Sequence, residues 1–560
     1  PKPVVRKAAV NMSAANPNAD MALESSSGWG LYNHQQEALN FFVDKREIAL
    51  FFEMGCGKSA TVLKIAEAKY KAGEIDALLI VAPNDVHRQW AVEQIPLWLD
   101  VHYEVQCLFG RGGAKKTYVF EEPEALHVVC VNIDTFSTPS KWKEIVEWAN
   151  YKKTMIVLDE ATSIKNVNAA RTQRMLYEFN DVVRNRKTVV SSKVRSVARA
   201  VLTGTPVTNG PMDLWAIMEF LRPNYFGRNW YSFQSRYGMF TRMEVDTGDG
   251  RSRTVNIPLT EETWCKIKMM TSFNEASYVF GITEDTFNTV HSQDSYEGPY
   301  KHAAELRDML EPVSRFQKLV DCVDMPEQVF VQRSLVMSDE LRKCYDSMRD
   351  EMIAEYENSV MTAKSKMVMY LRLQQLSSGF MCDIPFDEET DPESMDFVPT
   401  QRITWIGGSN PKLDALDRDI DESTKPVIVI TRFTAEAARI HEMLSKKYKT
   451  CLITGWKREG TIEEFKEGKY DVMVANIAAI ARGHNLQNSS KMIFYSNTFS
   501  LEYRLQALGR IHRIGQQNPC HYTDYVYEDS IDEKIVASLL LKRNLLEYMR
   551  GTKDVRELLR

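Results

Sequence analysis

At 560 residues the chain is too long for one hydrophobic core, so two or three domains are expected. Its 44% hydrophobic and 26% charged residues are ordinary for a soluble protein, and no apolar run approaches the roughly 18 residues that would cross a membrane. A formal net charge of −6 excludes a global basic field, so any nucleic-acid surface must be local. Nine scattered cysteines, none at metal-ligand spacing, argue against a disulfide framework or a zinc module and for an intracellular protein with reduced thiols.

Residues 1–28 are basic and then polar, without an apolar stretch, and read as a flexible tail rather than a signal peptide. From Trp29 to Pro223 short β-rich runs alternate with helical stretches: IALFF (Ile48 to Phe52), ALLIVAP (Ala77 to Pro83), HVVCV (His127 to Val131), TMIVLDE (Thr154 to Glu160) and ARAVLTGTP (Ala198 to Pro206). Continuous apolar strands separated by helices indicate a parallel sheet covered on both faces. Residues 224–400 read as a mostly helical insertion. In it Ser338 caps a helix with apolar positions Leu341, Tyr345, Met348, Met352 and Tyr356, and a hairpin runs from Met239 to Ile257. CDIPFDEETDPESMD (Cys382 to Asp396) reads as a solvated acidic loop. A second α/β series fills 401–530, with PVIVITRF (Pro426 to Phe433), TCLITG (Thr450 to Gly455), YDVMVAN (Tyr470 to Asn476) and KMIFYS (Lys491 to Ser496). Residues 531–560 read as a C-terminal helical brace that packs back on the lobes. The expected fold class is therefore α/β, with two parallel-sheet lobes and mostly helical insertions between them.

Three segments carry chemistry. EMGCGKS (Glu53 to Ser59) lies between a strand and a helix, where glycines let backbone N–H groups turn inward around phosphate. Lys58 would reach the β- and γ-phosphates of ATP, and Ser59 would hold Mg²⁺. A strict phosphate loop has glycine at the place of Phe52, and taken alone the segment could be a plain glycine turn. MIVLDEAT (Met155 to Thr162) puts Asp159 at the end of a buried strand, where a carboxylate is costly unless it serves an ion. Asp159 would hold Mg²⁺ through water and Glu160 would orient the attacking water, unless the pair is an ordinary helix cap. In QALGRIHRIGQ (Gln506 to Gln516), Arg510 and Arg513 lie three apart on one expected helix face, suited to stabilising the charge of a phosphate in transfer or simply to facing solvent.

Together these segments resemble the superfamily-two helicases and translocases, and further motifs narrow the likeness to their Swi/Snf-type branch. LYNHQQEALNFF (Leu31 to Phe42) resembles the adenine-reading segment, with Gln35 in the glutamine position. LLIVAPNDVHRQW (Leu78 to Trp90), LTGTPVTNGPMDLWAIMEFLRP (Leu202 to Pro223), VIVITRFTAEAARIHEML (Val427 to Leu444), ARGHNLQNSSKMIFYSNTFS (Ala481 to Ser500) and GRIHRIGQ follow in the family's order. The sequence departs from the pattern at Thr162, where the family has His, and at Ile480 and Ala481, where it has a glycine pair.

The resemblance implies two RecA-like lobes with ATP and Mg²⁺ between them. Lys58, Asp159, Glu160, Arg510 and Arg513 would be catalytic. Gln35, Met54, Gly55, Cys56, Gly57, Lys58, Ser59 and Gln506 would line the nucleotide, and Ser59 and Asp159 would hold the metal. Nucleic-acid contacts fall on Asn84, Thr205, Asn209, Thr431, Arg432 and Asn476, short polar or basic groups suited to phosphate rather than to base edges. A basic cluster, Arg184, Arg186, Lys187, Lys193, Arg195 and Arg199, could track a phosphate backbone or be a solvated loop. The implied activity is double-stranded-DNA translocation driven by ATP. The rivals are a strand-separating DNA or RNA helicase and an ATP-controlled DNA-binding scaffold.

Overall fold

The computed structural model describes residues 30–84, 86–107, 120–137, 139–176, 195–208, 210–227, 229–246, 252–294, 296, 298–356, 359–362, 366–382, 403–407, 410–455, 458–480 and 485–550. The chain forms two compact units, one reaching to Cys322 and including the residues from Lys542 onward, the other spanning Val323–Leu541.

The first unit is built on a seven-stranded sheet. Its strands are β1 (Glu47–Phe52), β2 (Ala77–Ala82), β3 (Tyr103–Cys107), β4 (Leu126–Asn132), β5 (Thr154–Asp159) and β6 (Ala198–Leu202). After a hairpin of β7 (Phe240–Asp246) and β8 (Ser252–Pro258), β9 (Ser314–Gln317) completes it. The order is β3-β4-β2-β5-β6-β1-β9, and every neighbouring pair is parallel. β2 and β5 are buried along their whole length, which is why ALLIVA and TMIVLD read as unbroken apolar runs instead of alternating ones. Phe51, Val81 and Leu158 pack with Trp215 and Ile217 of helix Met212–Leu221, and Leu545 and Met549 from the end of the chain join this core. Leu50, Leu202 and Asp159 are in register across β1, β6 and β5, so the segments that follow these strands leave the sheet at one edge.

The hairpin expected from Met239 to Ile257 is present as β7 and β8, and residues 247–251 at its tip lie outside the described set. Beside it Met239, Leu259, Trp264, Ile267 and Val290 form a small separate core. Helices Glu261–Lys268, Phe273–Phe280 and Glu284–Ser292 each begin with a hydroxyl cap, from Thr260, Ser272 and Thr283, accepting a backbone N–H.

In the second unit the strands are β10 (Gln328–Leu335), β11 (Ile353–Tyr356), β12 (Ser359–Thr362), β13 (Phe380–Cys382), β14 (Ile403–Trp405), β15 (Val427–Thr431), β16 (Thr450–Ile453), β17 (Arg458–Glu459), β18 (Val472–Asn476), β19 (Lys491–Phe494) and β20 (Cys520–Tyr527). The main sheet runs β10-β20-β19-β15-β18-β16-β17, parallel except for β17 at its edge. The two expected parallel sheets are thus both present.

Two readings of the middle region need correction. β9 and β10 fall within 224–400 yet extend the two main sheets, so this stretch is not only a helical insertion. The helix capped by Ser338 covers Asp339–Glu351; Leu341, Tyr345 and Met348 are buried as expected, but Met352 ends it in the left-handed region at φ 59° and Tyr356 belongs to β11. The tail before Gly30 and nearly all of the acidic loop after Cys382 lie outside the described residues. The helix Ile531–Met549 matches the expected C-terminal helix. Within the second unit, its Asp532 accepts from Lys412 Nζ at 2.7 Å and from Ser377 Oγ at 3.0 Å. Lys412 is fully buried, so this pair is held by satisfied bonds on both sides.

Candidate nucleotide site

Between β1 and helix Lys58–Lys71 the chain turns through a loop whose last residue, Gly57, caps the helix at φ 74° and ψ 39°. That conformation disfavours a side chain, and space forbids one: a Cβ on Gly57 would lie 1.9 Å from Nε2 of Gln35. Gln35 is 2% exposed, on helix Asn33–Phe42, and donates Nε2 to the Cys56 carbonyl at 3.3 Å while its Oε1 accepts from Tyr32 N at 2.9 Å. Gln35 therefore braces the loop from behind, with His34 Nε2 2.9 Å from the same carbonyl. Met54, Gly55, Gly57, Lys58 and Ser59 keep partly open surface, and Cys56 is buried beneath them. Lys58 Nζ donates to the carbonyls of Phe52 at 3.0 Å and Glu53 at 3.4 Å, which keeps the ammonium curled over the loop.

At the end of β5, Asp159 accepts from the indole N–H of Trp90 at 2.8 Å and from the Glu160 N–H at 3.0 Å. Burial raises its pKa, while the Trp90 bond, the charge of Lys58 and the Glu160 N–H pull the other way. Lys58 and Asp159 thus act on each other electrostatically. Glu160 sits at φ 48° and ψ 61°, a backbone region that costs a non-glycine residue energy and is retained where geometry over-determines it. Ser59, in the first turn of a 14-residue helix, and Asp159 are hard oxygen donors of the kind Mg²⁺ takes, and Gly55 and Gly57, at φ 89° and 74°, give the loop the left-handed backbone with which N–H groups turn towards phosphate; the residues fit both groups.

The segment after β6 closes in from the side. A Cβ at Gly204 would lie 3.2 Å from the Phe52 carbonyl, so LTGTP packs directly on the start of the loop. Arg550 joins the two: its Nη1 donates to Glu53 Oε1 at 2.5 Å and its Nη2 to the Gly204 carbonyl at 2.7 Å. Sequence reasoning missed Arg550, because nothing local marks it. It also gave Trp90 no role towards Asp159, a partner 69 positions away.

Of the expected nucleic-acid contacts in this unit, Asn84 is exposed beyond β2 and accepts from Asn132 Nδ2 at 3.2 Å. Thr205 is 8% exposed, with its N–H donating to Thr203 Oγ1 at 3.1 Å. Asn209 lies outside the described residues, as do Arg184, Arg186, Lys187 and Lys193. Arg195 is exposed, but Arg199 turns inward, its guanidinium donating to the Phe220 carbonyl at 2.6 Å and to Ser196 Oγ at 2.8 Å.

In the second unit the polar residues at strand ends bind one another. Thr431, with no exposed surface, donates its hydroxyl to the Ala475 carbonyl at 3.4 Å. Asn476, 4% exposed, donates to the Arg432 carbonyl and accepts from Ala478 N at 2.9 Å. Arg432 N donates to Ser496 Oγ at 2.7 Å. These bonds turn the side chains of Thr431 and Asn476 into the protein rather than outward. Glu436 accepts from Phe433 N at 2.8 Å and Ser496 Oγ at 3.0 Å, and burial pushes its carboxyl up to about 7.

The arginine motif also departs from expectation. Helix Leu501–Ile511 carries Gln506 and the buried Arg510, but it ends before Arg513, which therefore does not share a helix face with Arg510. His512 leaves helical geometry at ψ 87°, and Gln516 fixes the turn by donating Nε2 to the carbonyls of Ser489 at 2.8 Å, Ile511 at 3.1 Å and Gln487 at 3.2 Å. Burial lowers the pKa of Arg513.

Comparison with known proteins gives the chain's family. The SNF2-related domain matches residues 34–379, and the helicase conserved C-terminal domain matches residues 411–515. Putative protein p41 of Acyrthosiphon pisum secondary endosymbiont phage 1 is 22% identical over 92% of this chain and 97% of its own length. An uncharacterized ATP-dependent helicase of Bacillus subtilis, YqhH, is 23% identical over 93% of this chain and 80% of its own. The human SWI/SNF-related matrix-associated actin-dependent regulator of chromatin subfamily A member 1 is 21% identical over 92% of this chain, which spans 43% of that longer protein. The Sulfolobus solfataricus SWI2/SNF2 ATPase core in complex with dsDNA is 16% identical, covering 95% of this chain and 96% of its own, at a TM-score of 0.36. With the family domain spanning more than half of its length, the chain belongs to the SNF2-related family of helicase-like proteins.

Proposed function

We propose that the chain is a translocase that moves along double-stranded DNA by hydrolysing ATP. Its family makes it a nucleic-acid-dependent ATPase of the helicase class. The observation that carries the hydrolytic reading is that Asp159 closes β5 in register with Leu202 and Leu50, so that it leaves the sheet at the edge where the glycine loop and Lys58 follow β1, with Glu160 held in a left-handed conformation beside it. In this reading the glycine loop and Lys58 hold the phosphates of ATP. Glu160 positions the water that attacks the γ-phosphorus, and Arg510 and Arg513 supply positive charge as the bond to the leaving diphosphate breaks. Ser59 and Asp159 would hold Mg²⁺, which when bound neutralises charge on the β- and γ-phosphates. Duplex DNA as the track is what the resemblance to the Swi/Snf-type translocases implies, and one relative, in human, is named as a regulator of chromatin. Exposed Asn84 and Arg195 offer backbone-type contacts.

The test is steady-state ATP hydrolysis without nucleic acid and with duplex DNA, single-stranded DNA or RNA, using Lys58→Ala and Glu160→Gln as controls. Duplex stimulation lost in both variants, together with displacement of a third strand from a triplex, is the expected result. Preference for single strands or RNA would instead identify a strand-separating helicase. DNA binding with no hydrolysis under any condition would identify an ATP-controlled scaffold.

A further inference from the structure

Beneath the phosphate loop the Cys56 sulfur lies 3.9 Å from that of Cys322, and His34 Nε2 lies 3.7 Å from the Cys322 sulfur. Cys56 is 1% exposed, whereas Cys322 keeps part of its surface open just after the turn Leu319–Asp321. We propose that Cys56 and Cys322 form a reversible oxidation site that takes a two-electron thiol oxidant such as hydrogen peroxide and, as a disulfide, disables the phosphate loop.

Three observations support it. The sulfurs need to approach by about 2 Å in total to bond, a side-chain-scale movement. The two thiols are also unequal. Hydrogen bonding to Cys56, and then to His34, draws the Cys322 thiol well below its ordinary range, whereas the bond to Cys322 together with burial pushes Cys56 up. Cys322 is thus the attacking thiolate and Cys56 the resolving thiol. Finally, the chain leading to Cys322 already walls the loop. Glu53 N donates to the Gln317 carbonyl at 2.8 Å, Leu319 N donates to Glu53 Oε2 at 3.0 Å, and the Leu319 side chain lies 3.3 Å from where a Cβ on Gly55 would sit.

The chemistry balances. The Cys322 thiolate attacks one peroxide oxygen, forming an S–O bond as the O–O bond breaks and hydroxide leaves. Cys56 then attacks that sulfur; the S–S bond forms, the S–O bond breaks and the second oxygen leaves as hydroxide. The two thiol protons end on the two hydroxides, so two thiols and one peroxide give one disulfide and two waters. The link draws Cys56, and the backbone on either side of it, towards Cys322 and away from the geometry that receives phosphate.

The thiol chemistry stands apart from the nucleotide reading, and only its consequence rests on it. Reduced full-length chain is titrated with hydrogen peroxide, then divided between non-reducing peptide mass spectrometry, binding of a fluorescent ATP analogue and DNA-stimulated hydrolysis. The expected result is a Cys56–Cys322 linked peptide that rises as hydrolysis falls by about ten- to a hundredfold, with dithiothreitol reversing both. Cys322→Ser and Cys322→Ala should hydrolyse ATP like the wild type and resist peroxide. The proposal is overturned if the link is missing at peroxide doses that oxidise the exposed Cys265. It is also overturned if linked protein binds and hydrolyses ATP normally, or if the Cys322 variants are inactivated as readily as the wild type. If reduced protein hydrolyses no ATP, the functional reading fails, and the linked peptide still decides whether the thiols pair.

Discussion

The two units place polar residues at the ends of similar parallel strands and use them in opposite ways. In the first, Lys58, Ser59 and Glu160 keep part of their surface open around the buried carboxylate of Asp159, and Glu160 accepts a costly backbone conformation. In the second, Thr431 and Asn476 bond to neighbouring backbone, and Gln516 closes its own turn. The same sheet edge therefore carries reactive groups in one unit and mainly backbone-shaping groups in the other. Satisfied buried polar bonds stiffen a region, whereas charged groups that keep open surface beside a buried carboxylate stay accessible for chemistry.

The sharpest way to break this contrast is to remove charge from the first unit. Lys58→Ala should cut hydrolysis by about 10²–10³-fold. Glu160→Gln should cut it by about 10²–10⁴-fold. Circular dichroism melts of both variants should stay near wild type, because neither side chain supports the core.

The second unit should respond in stability rather than in rate. Glu436, raised by burial to about 7, binds a proton in the folded state over a pH range where the unfolded chain has lost it. Its contribution to stability is therefore full below the ordinary carboxylate range and is lost as pH rises to about 7. Glu436→Gln should flatten that slope, leaving a difference of about 3 kcal/mol from the wild type at pH 8 in urea melts. A slope unchanged by the substitution would mean that Glu436 does not titrate as its burial implies.

Trp90→Phe tests the join between scaffold and chemistry. It keeps the ring and removes the N–H that helps hold Asp159 ionised, so the acid limb of the hydrolysis profile should move to higher pH. At neutral pH the rate should fall by about ten- to a hundredfold, the worth of a hydrogen bond to a charge. An unshifted profile would reduce Trp90 to packing. The smallest effect is expected from Arg550→Lys, which keeps the charge but loses the fork that spans Glu53 and Gly204. A loss of about 1 kcal/mol in thermal melts is expected.

What the chain disclosed before folding follows from how local each signal is. The loop at Gly57 and the carboxylates after β5 were legible because glycine spacing and apolar runs are written in consecutive residues. β9 and β10 were not: SRFQ and QVFVQRSL carry no unbroken apolar run, and β10 is an edge strand with much of its length exposed. Arg513 was misplaced because three-residue spacing says nothing about where a helix stops, and here Gln516 fixes a turn immediately after it. Trp90 and Arg550 act across long stretches of chain, which periodicity cannot register.

That last contact has a consequence for synthesis. Arg550 and Glu53 are 497 positions apart, and the arginine is made long after the loop it steadies. A ribosome therefore releases the phosphate loop, its helix and its sheet well before the residue that ties Glu53 to Gly204. The tie between Glu53 and Gly204 exists only once Arg550 has been made, and a nascent chain that has not reached that residue holds the loop without it.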